Sequence, residues 1–344
     1  MMSLMLSETL SIPAIVQRML EDDSAIHALT RQWAQTLPEL MITVARGSSD
    51  HAAAYFSYAL MSQVGIPSVS IPLSLVSLQQ PPLRLKNSWV AAFSQSGKSP
   101  DLIDSVHYLH QRGAHSVALV NTAGSPLAAM SEHEILLPAG LEQSVAATKS
   151  YVAMLMAGAQ AVASLADALA IDTGLSEALQ HLPGHLHNAA AEDWSPLLGM
   201  LTNADKMIVI GRGAALPIAQ EAALKLKETS GIQAEAFSSA EVRHGPMEII
   251  EEGYPVLVFA PSGPEQPGTL AFAAEMRARG ARVLVVAPRG TVCEGLLPSV
   301  PTAHALLEPF TMIQGFYLSA AQLAVARGRN PDQPRYLKKV TQTR

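Results

Sequence analysis

Short apolar runs alternate along this chain with longer stretches in which apolar residues recur every three to four positions. The runs near 41–45, 89–93 and 115–120, and again near 207–211, 255–259 and 282–286, predict strands, and the stretches between them predict helices. Strands that are apolar throughout and separated by helices belong to parallel sheets covered on both faces, a doubly wound α/β architecture. The pattern also repeats. A shift of 166 positions lays MITVARGSSDHAAAYFSYALMSQVGI, from Met41, over MIVIGRGAALPIAQEAALKLKETSGI, from Met207, without a gap. The same shift carries Val90 onto Val256, Phe93 onto Phe259, Ser96 onto Ser262 and Gly97 onto Gly263; a slip of one residue then aligns Gly113-Ala114 with Gly280-Ala281. The chain is therefore expected to hold two copies of one α/β unit.

Parallel sheets bind ligands at the carboxyl ends of their strands, and two Ser-rich turns of the first copy fall there: Gly47-Ser48-Ser49, and Ser94-Gln95-Ser96-Gly97-Lys98-Ser99. Free backbone N–H groups at a strand-to-helix turn, with hydroxyls added, suit a phosphate. A P-loop is excluded, because the glycine it needs at position 92 is Ala92. An ordinary polar turn is the plainer alternative. Against it, the second copy has Gly213-Ala214-Ala215 and Ala260-Pro261-Ser262-Gly263 at the matching places. Hydroxyls needed only to form the turn would have been kept in both copies, so a single phosphate site in copy one is expected.

Composition narrows the partners. With 344 residues, 49% of them hydrophobic and 15% charged, the chain can bury two domain cores. A formal net charge of −6 without a basic stripe argues against nucleic acid and against an anionic membrane surface. The lone Cys293 excludes an intrachain disulfide, and the opening MMSLMLSETLSIP lacks the basic start of a signal peptide; a cytoplasmic location is expected. The apolar segment from Ser150 to Ile171 is interrupted by Gly158, Gln160 and Asp167, and reads as a buried helix rather than a membrane span. His181, His185 and His187 lie in a segment without nearby cysteines or a paired carboxylate motif, so a linker is preferred to a metal site. No metal or organic cofactor is expected.

The second copy trades hydroxyls for charges. From Pro217 to Gly231 the sequence reads as a helix carrying Lys225 and Glu228 at i, i+3, either a solvated ion pair or a catalytic one. His244, just before Gly245-Pro246 in a loop, is a candidate acid–base group. The tail DQPRYLKKVTQTR offers Tyr336 and Leu337 as docking residues, which would bring Lys338 or Lys339 to an anionic ligand.

These motifs, taken in order, closely resemble the double sugar-isomerase (SIS) region of glucosamine-6-phosphate synthase: the duplicated unit, SQSGKS, ALKLKE, HGP and DQPRYLKK. The resemblance implies two flavodoxin-like SIS domains at 37–170 and 201–330. They would be preceded by a helical segment 1–36, joined by a helical linker 171–200 and followed by a tail 331–344 lying over the active site. It also implies a phosphate held by Ser48, Ser49, Ser94, Gln95, Ser96 and Ser99, sugar contacts at Val145 and Glu142, and Glu228 as the carrier of a proton between C1 and C2. In the same way His244 assists ring opening from a partner subunit, making a homodimer, and Lys339 and Lys225 complete the catalytic set. The resemblance does not extend to the synthase's glutaminase domain with its nucleophilic cysteine; a free-standing double SIS chain is therefore expected, similar to the isomerase-like glucosamine-6-phosphate deaminases. Two departures bear on the substrate: Ala147 stands where the family's V-A-S-T-K segment has serine, and Lys98 where the synthase turn has an acid.

The phosphorylated amino sugar is thus expected to be glucosamine 6-phosphate, converted with water to fructose 6-phosphate and ammonium. A fructosamine-6-phosphate deglycase and a galactosamine-6-phosphate deaminase or isomerase are the rivals within the fold. Outside it stand a non-catalytic sugar-phosphate sensor and a NAD-dependent dehydrogenase. The dehydrogenase is disfavoured because Leu216 replaces the third glycine of its fingerprint.

Overall fold

The computed structural model describes residues 2–337 and Lys339. Ten strands form two five-stranded parallel sheets. The first contains β1 (Leu40–Val44), β2 (Ser68–Ser70), β3 (Ser88–Ser94), β4 (His115–Val120) and β5 (His133–Leu136); the second contains β6 (Lys206–Gly211), β7 (Gln233–Ser238), β8 (Pro255–Phe259), β9 (Arg282–Pro288) and β10 (Leu296–Ser299). The orders β2-β1-β3-β4-β5 and β7-β6-β8-β9-β10 are the same topology twice, the flavodoxin-like one. The duplication visible in the sequence is a duplication of the fold.

Two compact units result, and they do not follow chain order. One comprises Ala14–Glu142 and Lys149–Gln180 together with Lys339; the other comprises the residues up to Pro13, Gln143–Thr148 and His181–Leu337. Residues 171–200, read from sequence as a linker, include the helices Leu175–Gln180 and Leu182–Ala189, which belong to different units.

The central strand of each sheet is buried on both faces. All seven residues of β3, Ser88-Trp89-Val90-Ala91-Ala92-Phe93-Ser94, are buried, as are all five of β8. That is why these strands carry no polar alternation. Ile42, Val90, Val106, Leu109 and Val120 share one core, and Ile208, Val256, Val258, Phe272 and Val285 share the other. Burying side chains of this size stabilises the fold by about 1.5–3 kcal/mol each. The apolar helix Lys149–Ala168 is long enough to cross a membrane by composition, yet it packs against the helices Ser24–Gln35 and Ser48–Val64 of its own unit.

The site-bearing helix of the second copy departs from its expected form. It starts at Ala215, two residues before Pro217, runs to Lys225, and continues as a π-helical turn, Leu226–Ser230, closed by Gly231 at φ +64°.

Candidate functional site

The turns after β1 and β3 leave neighbouring strands whose register pairs Val44 with Ala92. After β3, Ser94 Oγ accepts the Gly97 N–H at 3.0 Å and Ser96 Oγ accepts the Lys98 N–H at 3.3 Å. Both hydroxyls act here as acceptors, so each keeps its own O–H to donate to a ligand. Gly97 has φ +61°, and a Cβ there would fall 2.1 Å from Ser125 Oγ; only glycine lets the turn close this tightly. Ser99 precedes the helix Pro100–Gln111 without capping it through its side chain, and Gln95 is half-buried. Ser48 and Ser49 open the helix Ser48–Val64 after Gly47, at φ +54°. The phosphate-site residues expected from sequence in this unit thus cluster on two adjacent strand ends.

Arg46, passed over in the sequence, joins the two turns. Its Nε and Nη2 both lie 2.9 Å from Oδ2 of Asp101, which is buried at the start of the next helix. The only sign in the sequence was a cation directly after an apolar strand. Nearby, burial pushes the Asp50 carboxyl up, opposed by His51, Arg46 and a hydrogen bond from Ser70.

Glu142 is buried and accepts hydrogen bonds from the Ser150 N–H, at 3.3 Å, and from the Ser150 hydroxyl. Lys339 Nζ approaches its Oε2 at 3.5 Å. Two residues singled out separately are therefore paired, and the tail lysine is held by Glu142. Tyr336 and Leu337 do not dock the tail as expected: they are 93% and 44% exposed. Lys338 and residues 340–344 lie outside the described residues.

In the other unit, Lys225 is the centre of a buried charge chain. Its Nζ lies 2.6 Å from Glu228 Oε2 and 3.3 Å from Glu221 Oε1, and Tyr317 donates its hydroxyl to that same Glu221 oxygen at 2.9 Å. Lys225, Glu221 and Tyr317 are fully buried, whereas the Glu228 side chain remains 19% exposed. Burial works to lower the Lys225 pKa, but the charges of Glu221 and Glu228 and the hydrogen bonds that Lys225 donates to both outweigh it, and the net shift is upward. The Lys225 ammonium is thus fixed as a cation, and it holds Glu228 by Oε2 while the rest of that side chain stays partly exposed. A solvated surface pair, the plainer sequence reading, does not describe a lysine this buried. Glu221 was missed, although its i, i+4 spacing to Lys225 was a signal in plain view.

His244 ends the 3-10 turn Glu241–His244, before Gly245 at φ 143°. It is exposed and makes no hydrogen bond among the described residues. Val145 is half-buried, its N–H bonded to the Asp332 carbonyl at 3.0 Å. Among the described residues no group of three or more His, Cys, Asp or Glu side chains is placed to hold a metal ion.

Two copies of one parallel α/β fold, with hydroxyl-lined turns in the first and a carboxylate–lysine chain in the second, now have a counterpart among known families. The SIS domain matches residues 39–164 and 200–291, one segment in each copy. The chain belongs to the SIS domain family. It is 36% identical over 313 residues to the isomerizing glutamine–fructose-6-phosphate aminotransferase of Aeropyrum pernix, an alignment covering 87% of this chain and 50% of that protein. The SIS chain thus spans about half the length of the curated relatives it matches, 50% and 51% for the Aeropyrum pernix and Thermus thermophilus proteins. Among solved structures, a protein of Silicibacter pomeroyi provisionally named a phosphosugar isomerase superposes with a TM-score of 0.90 at 39% identity, covering 96% of this chain and 100% of its own. The glucosamine-6-phosphate deaminase of Thermotoga maritima, at 22% identity and a TM-score of 0.78 over 99% of this chain and 100% of its own, shares the fold.

Proposed function

We propose that this SIS chain is a phosphosugar isomerase acting on amino sugars, with glucosamine 6-phosphate as substrate and fructose 6-phosphate and ammonium as products. The observation that carries this reading is the Lys225–Glu228 contact: a buried lysine holds one oxygen of a glutamate whose side chain remains 19% exposed. Moving a hydrogen between C1 and C2 of an open-chain aldose amine needs one base that can take it from one carbon and return it to the other. Glu228 has the form of such a base, and Lys225 steadies its charge. The product of that transfer is a ketose imine, which water hydrolyses to the ketose and ammonia. The Ser-rich turns would hold the phosphate, a group that does not react and so supplies binding energy for positioning. The relatives named above for isomerisation and for sugar phosphates support this reading.

One feature favours a second reading within the same chemistry. Ala147, half-buried, offers no hydroxyl to a group at the sugar's 2-position, and a fructosamine 6-phosphate, with its nitrogen elsewhere, would not need one. Purified protein given glucosamine 6-phosphate, without glutamine, metal or nucleotide, should release ammonium and fructose 6-phosphate in equal amounts. Glu228→Gln should abolish release while leaving sugar-phosphate binding nearly intact. Background ammonium with ready cleavage of fructosamine 6-phosphate would replace the deaminase by the deglycase. Folded protein that binds both sugars and turns over neither would leave a sensor.

A further inference from the structure

The turn after β8 is the counterpart of the Ser-rich turn after β3, with Ser262 and Gly263 on the places of Ser96 and Gly97. In the first copy Ser96 Oγ is engaged by the N–H of Lys98, two residues on. In the second copy the turn grips a carboxylate. Ser262 donates its N–H to Glu308 Oε2 at 2.5 Å and its hydroxyl to Glu308 Oε1 at 2.9 Å. Two donors from one residue thus hold both oxygens of one anion, as a turn of this kind holds two oxygens of a phosphate.

Glu308 does not otherwise behave as a stabilising ion. It is 2% exposed, and among the described residues no lysine, arginine or histidine lies within ion-pair distance of it. Burial pushes its carboxyl pKa up, with the two Ser262 bonds acting against that rise. Burying a carboxylate without a cation costs desolvation, which the two Ser262 donors and the N-terminal end of the helix Glu308–Ala326 offset. The cost falls if the turn is already a receptor for anions.

We propose that the turn after β8 is a tetrahedral-oxyanion site of the phosphate class, retained from the duplication and filled in the folded chain by the carboxylate of Glu308. Two repeats then provide one external phosphate site, because the second is occupied from within. The comparison with the first repeat rests on the phosphate reading above, while the Ser262–Glu308 contact does not depend on it.

The test is the number of inorganic phosphate ions bound per chain, measured by calorimetry at constant ionic strength in chloride. Glu308→Ala should bind one phosphate more than wild type, and adding Ser262→Ala should weaken that extra binding about tenfold or more, as expected for a lost donor to an anion. An unchanged number of sites, or an extra site indifferent to Ser262→Ala, overturns the proposal. The same gain should persist when Glu308→Ala is combined with Ser96→Ala and Ser99→Ala, variants that probe only the first turn; failure of the first-turn reading is thereby distinguished from failure of this one. If Glu308→Ala is recovered only unfolded, refolding in phosphate should exceed refolding in chloride of equal ionic strength, relative to wild type. Equal recovery in the two salts also overturns the proposal.

Discussion

Ser94 and Ser96 each accept a backbone N–H, from Gly97 and Lys98, and these bonds leave their own hydroxyl protons to be donated elsewhere. Ser99 leaves its helix uncapped, which keeps a third hydroxyl uncommitted to that role. Replacing Ser96 and Ser99 together by Ala should therefore raise KM for the sugar phosphate steeply and weaken inhibition by inorganic phosphate, at about 1.5–3 kcal/mol per donor lost to an anion. Steady-state kinetics and circular dichroism check this, the second because the fold should survive; an unchanged KM removes the phosphate from this turn. The hydroxyls were legible in the sequence because residue type and local spacing sufficed. Arg46 was not, because its partner Asp101 is 55 residues away and nothing local marks the pair.

The segment Ala215–Ser230 shows what periodicity can and cannot predict. Lys225 and Glu228 were correctly placed side by side, since i, i+3 residues meet on any helix. The change from α-helix to π-helical turn at Leu226 was invisible, because one extra residue per turn leaves no mark on a pattern read in windows of a dozen residues. The turn holds Glu228 itself, and the charge chain behind it reaches Tyr317 on the helix Glu308–Ala326. Tyr317→Phe keeps the ring and removes the donor to a buried carboxylate, so it should cost about 1.5–3 kcal/mol of stability in urea unfolding. It should also lower kcat more than it raises KM, because Glu221, Lys225 and Glu228 would lose their common alignment. Wild-type stability and kcat in that variant would mean that Tyr317 only fills space.

At the scale of the whole molecule, His244 is exposed and hydrogen-bonds to none of the described residues. We propose that it serves the site of a second copy of the chain. Mixing inactive Glu228→Gln with inactive His244→Ala chains under subunit exchange should then restore part of the activity, with exchange confirmed by mass spectrometry; exchange without rescue assigns both residues to one subunit. The duplicated parallel α/β fold, the six inner strands, the Ser-rich turns and the Lys225–Glu228 neighbours were determined by the sequence alone, because each depends on residue type within a few positions or on a repeat at fixed spacing; the four less apolar edge strands β2, β5, β7 and β10 were not. Tertiary structure alone decided that Lys225 is fully buried against two carboxylates, one of them held by Tyr317, that Glu142 holds Lys339, that Tyr336 is exposed, and that Glu308 fills the second turn. Each of these joins residues 46 to 197 positions apart, or turns on which face of an element is covered, and such distances close only when the chain folds.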